Sequence, residues 1–153
     1  MRLNFISPTL PAAAFLFGII VPAHADQRMD RGEAVIDTLT NGQGQPALEN
    51  MRRHFPFLAD ATVGYALGDV WGRSTLDHRT RQLATVAAFA ATGHIPYMQI
   101  HARYALNMGA TPDELREIVY LTTVHAGFPA AINAASGLTE LFDELEIDMP
   151  VSE

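Results

Sequence analysis

Apolar residues along this chain recur at three- and four-residue spacing, and no run alternates long enough for a half-buried strand. The pattern therefore predicts helices throughout. A polar first helix spans Asp26 to Leu39 and is stopped by Asn41-Gly42. Gln43 to Pro46 reads as a loop and Ala47 to His54 as a short helix. Pro56 to Trp71 reads as one helix, with Phe57, Leu58, Ala61, Tyr65 and Gly68 near helical spacing. After a connector, Gly72 to Leu76, Asp77 can cap a helix from Arg79 to Thr92 that Gly93 ends. Five alanines in that helix permit close neighbours on several faces, which marks it as the central one. Pro96 opens a helix to Met108, closed by Gly109. Thr111-Pro112-Asp113-Glu114 forms the clearest local signal: an N-cap, a first-turn proline and a capping-box glutamate. Leu115, Ile118, Val119 and Thr122 follow as an apolar stripe. Gly127-Phe128-Pro129 interrupts the chain before a last helix, Ala130 to Leu145, and an acidic, frayed tail over 146–153.

The N-terminus changes the domain count. Ala12 to Val21 is an apolar run of signal-peptide length, with Arg2 before it, Pro22 after it and Ala23-His24-Ala25 at the peptidase position. It is too short for a membrane-spanning helix. Residues 1–25 are thus expected to be a cleaved leader, residues 26–145 one domain, and the protein periplasmic or secreted. The chain carries a net charge of −7, and losing Arg2 with the leader makes the mature form more acidic still. That balance speaks against nucleic acid and anionic membranes as partners. There is no cysteine, and every basic residue is arginine. Thiol, thiolate-metal and lysine Schiff-base chemistry are therefore excluded. His94 and His101 sit seven residues apart, about 10.5 Å along a helix, which is poor for one ion. No metal and no cofactor are expected.

Three ordered segments resemble the carboxymuconolactone decarboxylase family. Leu76-Asp77-His78-Arg79-Thr80-Arg81-Gln82-Leu83 is similar to its L-D-x-R-T-R-E-L opening of the central helix. His101 to Gly109 is similar to its H-x-x-x-A-L-x-x-G segment. Thr111 to Glu117, then Ala126-Gly127-Phe128-Pro129-Ala130-Ala131, resemble its T-x-E-E-x-x-E and A-G-F-P-A-A blocks. The resemblance implies an all-α, six- to seven-helix alkylhydroperoxidase-D-like bundle assembled as a homotrimer or homohexamer. The family's peroxidase branch places two cysteines where this chain has His94 and Tyr97, and a glutamate where it has Gln82, so thiol peroxidase activity is not expected. Two positions also depart from the decarboxylase pattern: Gln82 replaces the usual glutamate, and His125 an aromatic residue.

The activity implied is cofactor-free removal of carbon dioxide from a small carboxylated unsaturated lactone or related acid. Such a site must anchor a dianion, stabilise an oxyanion and return a proton to carbon. The matched His101 is the expected proton donor, with Gln82 donating a hydrogen bond to the oxyanion. Arg81 is the expected carboxylate anchor, and His94, Tyr97, His125 and Phe128 are expected to line the pocket. His94, Tyr97, His101 and Tyr104 would share one helix stripe. By spacing alone that stripe reads equally as core, and Tyr104 is taken as core. Trp71, Phe55 and Phe57 are read as core or subunit contacts. The alternative is a non-catalytic oligomeric binding protein on the same fold, favoured by the loss of the carboxylate at Gln82.

Overall fold

A computed structural model describes residues 23–148, and these residues contain helices and turns but no strand. The helices are α1 (Ala23–Thr40), α2 (Pro46–His54), α3 (Pro56–Ala61), α4 (His78–Thr92), α5 (Ile95–Asn107), α6 (Pro112–His125) and α7 (Phe128–Glu144). The apolar core of the expected leader lies outside the described residues.

Most boundaries follow the local chemistry. Asp77 caps α4 by accepting from the Thr80 amide at 2.8 Å, and Gly93, at φ 74°, ends it in the left-handed conformation. The Thr111 hydroxyl accepts from the Glu114 amide at 3.2 Å while the Glu114 carboxylate accepts from the Thr111 amide at 2.9 Å, a complete capping box. Glu114 also pairs with Arg79, joining α6 to α4. Helix α7 starts at Phe128, earlier than Ala130, because Gly127 makes the turn and Pro129 fits the first helical turn.

Two expectations are corrected. Pro56 to Trp71 is not one α-helix: α3 gives way at Thr62 to a π-helical segment, Thr62–Trp71. Its end shows the five-residue bond, Gly72 N–H to the Leu67 carbonyl at 2.8 Å. The wide turn accompanies a backbone-to-backbone approach by α1, which packs chiefly on this segment. A Cβ at Gly68 would run into the Arg28 carbonyl, and one at Gly32 into the Val63 carbonyl. The chain after Glu144 is also not frayed at its start. Glu146 adopts φ 53° and the Ile147 amide bonds the Phe142 carbonyl at 2.9 Å, a Schellman closure. Ile147 then packs against the core.

The core has two parts. Helices α4 to α7 bury Val86, Ala90, Met98, Ala102, Leu115 and Leu138 among others. The N-terminal helices bury Val35, Ile36, Leu39, Leu48 and Val63, and there Tyr104 of α5 reaches across to join them. Its hydroxyl accepts from Gln45 Nε2 at 2.6 Å, and the Asn107 amide donates to the Leu39 carbonyl at 2.8 Å. Helix α5 is therefore the seam between the two parts.

Candidate active site

On that seam, α4 and α5 bring two expected site residues into direct contact. His101 Nδ1 lies 2.8 Å from Gln82 Oε1. With the amide oxygen facing it, Nδ1 carries the proton and donates, leaving Nε2 with a free lone pair. Gln82 is completely buried, an unusual place for an amide. Its Nε2 has no hydrogen-bond partner among the described residues. An orphaned buried donor costs about 1–3 kcal/mol, so a ligand oxygen that accepted from it would recover that cost.

Aromatic rings enclose the histidine. Trp71 stacks on it at 5.8 Å between ring centroids, Phe89 lies at 5.3 Å, and Tyr104 meets it edge-on at 5.6 Å. Withdrawal from water in this cage lowers the His101 pKa from 6.5 to about 4. The imidazole is therefore neutral at neutral pH, and the free site offers a proton acceptor at Nε2 rather than a ready donor.

The other expected residues are more scattered. Arg81 turns its guanidinium to the connector, donating to the Leu76 carbonyl at 3.1 Å and the Arg73 carbonyl at 2.8 Å. Tyr97 is mostly exposed and packs on Phe89 at 5.7 Å. His94 does not extend the helix stripe; it is the N-cap residue of α5, exposed, with Nδ1 2.9 Å from the Thr92 hydroxyl and its ring edge-on to Phe89. His125 ends α6 and Phe128 begins α7, both exposed, and neither shares a hydrogen bond or ring contact with the His101 cluster among the described residues. No three His, Asp or Glu side chains converge at metal-binding distance among the described residues.

Sequence reasoning missed Trp71 and Phe89. Phe89 follows Gln82 by seven residues and so shares its helix face, a signal that was available. Trp71 had none, because only the packing of the π segment carries it to α5. A cavity of about 420 Å³ lies beside the cluster, with Trp71 in its wall. A larger groove of about 470 Å³, between α6 and α7, shares no residue with the cluster.

Fold and site together define an all-helical protein with a neutral histidine–amide pair in an aromatic cage. The sequence profile of the Carboxymuconolactone decarboxylase family matches residues 56–140, and the chain belongs to that family. It is 32% identical over 123 residues to a 4-carboxymuconolactone decarboxylase of Acinetobacter baylyi, covering 80% of this chain and 92% of the relative. It is 33% identical over 95 residues to a nitrosuccinic acid decarboxylase of Metarhizium robertsii, covering 60% and 66%. An uncharacterized 15.0 kDa protein of Paracoccus denitrificans is 30% identical over 92 residues, covering 56% and 69%.

Proposed function

We propose that this protein is a cofactor-free decarboxylase of a small acid whose loss of carbon dioxide leaves an electron pair delocalised onto oxygen. The observation that carries the reading is the buried Gln82 amide, bonded to His101 and left with one unpartnered donor. The names of two relatives support it. In 4-carboxymuconolactone the electron pair passes through a ring double bond to the lactone carbonyl; in nitrosuccinic acid it passes to the nitro group. Both sinks are oxygens that gain charge as the carbon–carbon bond breaks. Gln82 Nε2–H donates to that oxygen, a contact that strengthens in the transition state. The arriving anion favours the imidazolium form of His101, so a proton is taken up at Nε2. After carbon dioxide departs, Nε2–H delivers this proton to carbon and the imidazole returns to neutrality. Arg81 acts indirectly in this scheme, by holding the connector.

Carbon dioxide release from 4-carboxymuconolactone and from nitrosuccinate tests the proposal. Wild type is expected to turn over at least one of them. Gln82→Leu, similar in shape but unable to donate, is expected to lower kcat by roughly 10²- to 10³-fold. Activity that is absent in wild type and appears only in Gln82→Glu would favour the second reading. In that reading the chain is an oligomeric binding protein that lost its acid–base pair with the glutamate.

The assembled, exported form is part of the same proposal. Tyr120, Leu121, Val124, Phe128 and Ile132 are all more than half exposed along α6 and the start of α7, a surface suited to contact between copies. Protein recovered from cells expressing the full chain is expected to begin at Asp26 by intact mass and to sediment as three or six copies. A monomer at micromolar concentration, or a retained leader, would refute the corresponding half.

A further inference from the structure

Trp71 is the only tryptophan of the chain and the last residue of the π segment. Its ring lies nearly parallel to the His101 imidazole, at 21° and 5.8 Å between centroids. Helices this wide are rare and mostly confined to single turns, and glycines at positions 64 and 68 weaken any helix here. The segment therefore takes its shape from its neighbour, α1. Gly68 meets the Arg28 carbonyl, and Gly32 the Val63 carbonyl, with no room for a side chain. The Arg28 side chain then crosses Gly64, where a Cβ would stand 3.2 Å from its Nε.

Glycine contacts permit this close approach without fixing its register, because they offer no side chain to interlock. Polar contacts fix it, and they converge two residues before Trp71. Asp69 Oδ2 pairs with Arg28 Nη2 at 2.9 Å, and Asp69 Oδ1 accepts from Arg31 Nη2 at 3.0 Å. Arg31 Nε also donates to the Gly68 carbonyl at 3.3 Å. Arg28 and Arg31 are three residues apart on α1 and so share a face. All three side chains are partly exposed, and ion pairs of that kind add little to overall stability. Their geometry is particular: a carboxylate shared by two guanidiniums has one place along α1. Beyond Trp71, Arg81 holds the connector through the Leu76 and Arg73 carbonyls.

We propose that Asp69 is a positioning residue for the site: clasped by Arg28 and Arg31, it locks the π segment on α1 and so keeps Trp71 stacked on His101. Relaxation of the segment toward α geometry would turn Trp71 about the helix axis and away from α5, because each α-turn takes fewer residues. The imidazole would then meet water. The groups that face it are Trp71 from the π segment, Gln82 and Phe89 from α4, and Tyr104 from its own helix. The first three do not titrate, and burial raises the Tyr104 pKa, so none is charged at neutral pH. The charge state of His101 thus follows its access to water, the factor that holds its pKa at about 4. The inference concerns how the site is built, and it holds whether the acid bound there is decarboxylated or only retained.

Variants of the clasp test it without any ligand. Asp69→Asn removes the charge that both arginines share, and Asp69→Glu keeps it. Arg28→Gln with Arg31→Gln breaks the same clasp from α1. Glu33→Gln is the control: it breaks a comparable ion pair of α1, to Arg52 at 2.6 Å, which joins α2 instead. In Asp69→Asn, acrylamide quenching of the single tryptophan is expected to rise about twofold, and the His101 pKa, followed in ¹⁵N-histidine-labelled protein, to rise by about one unit toward 6.5. The double arginine variant is expected to reproduce both changes. Asp69→Glu and Glu33→Gln are expected to match wild type. Wild-type values in Asp69→Asn or in the double variant, or changes as large in Asp69→Glu or Glu33→Gln, would overturn the inference. Turnover separates it from the decarboxylase reading. If wild type decarboxylates neither acid while Asp69→Asn moves both readouts, the enzyme fails and the clasp stands. If wild type is active and Asp69→Asn moves neither readout, the clasp fails and the enzyme stands.

Discussion

Replacing His101 with alanine is expected to lower decarboxylation by roughly 10²- to 10⁴-fold, the range for loss of a positioned general acid. The geometry behind this is the Nδ1 contact to Gln82 at 2.8 Å, which orients the ring and leaves Nε2 for the substrate. Alanine does more than remove the proton carrier. It opens a void among Trp71, Phe89 and Tyr104 and leaves Gln82 Oε1 unpartnered, at a cost of about 1–3 kcal/mol of stability. His101→Gln separates the two effects, since a glutamine side chain can still bond Gln82 but cannot carry a proton at neutral pH. Steady-state rates on the better substrate should fall in both variants, with the smaller loss of melting temperature in His101→Gln. Full turnover by His101→Gln would show that another group returns the proton.

Acid should destabilise the wild type by about 3 kcal/mol through His101 alone. The folded-state pKa is about 4 because the ring is withdrawn from water, against 6.5 for the free side chain. As pH falls, the unfolded chain takes up this proton first. The stabilisation is thus complete above about pH 6.5, declines from there to about pH 4, and changes no further below. Denaturant unfolding of wild type and His101→Gln at pH 7.5, 5.5 and 4 isolates this contribution from the carboxylates, which titrate in both proteins. Parallel curves would mean that the cage does not hold the imidazole neutral. The same effect bears on catalysis, because a site that resists its own proton takes one up together with an anionic ligand. Proton uptake on binding is therefore linked to the substrate's charge.

Much of the architecture was legible in the sequence because local chemistry determines it. The Asp77 and Thr111 caps and the glycine stops at Gly93 and Gly109 act over a few residues, and the helices they bound stand within two residues of the expected places. The buried Leu115, Val119 and Thr122 of α6 follow from periodicity for the same reason. The pairing of Gln82 with His101 was approached only through the family blocks, since 19 residues separate them and no spacing rule links two helices.

What remained was decided by contacts between distant segments. The π segment accompanies the glycine-mediated approach of α1, and it carries Trp71 onto α5. The neutrality of His101 comes from the rings gathered around it, and the orphaned donor of Gln82 from its complete burial. Residue type and position suggest Arg81 as a direct anchor, yet two carbonyls of the connector claim its guanidinium. The sequence by itself determined the all-helical order, the helix limits and the absence of thiol and lysine chemistry, because these depend on residue type and short-range bonding. Only the tertiary structure decided which side chains meet at the candidate site and that His101 is neutral there. Burial and hydrogen-bond partners belong to the packed chain and to no segment of it alone.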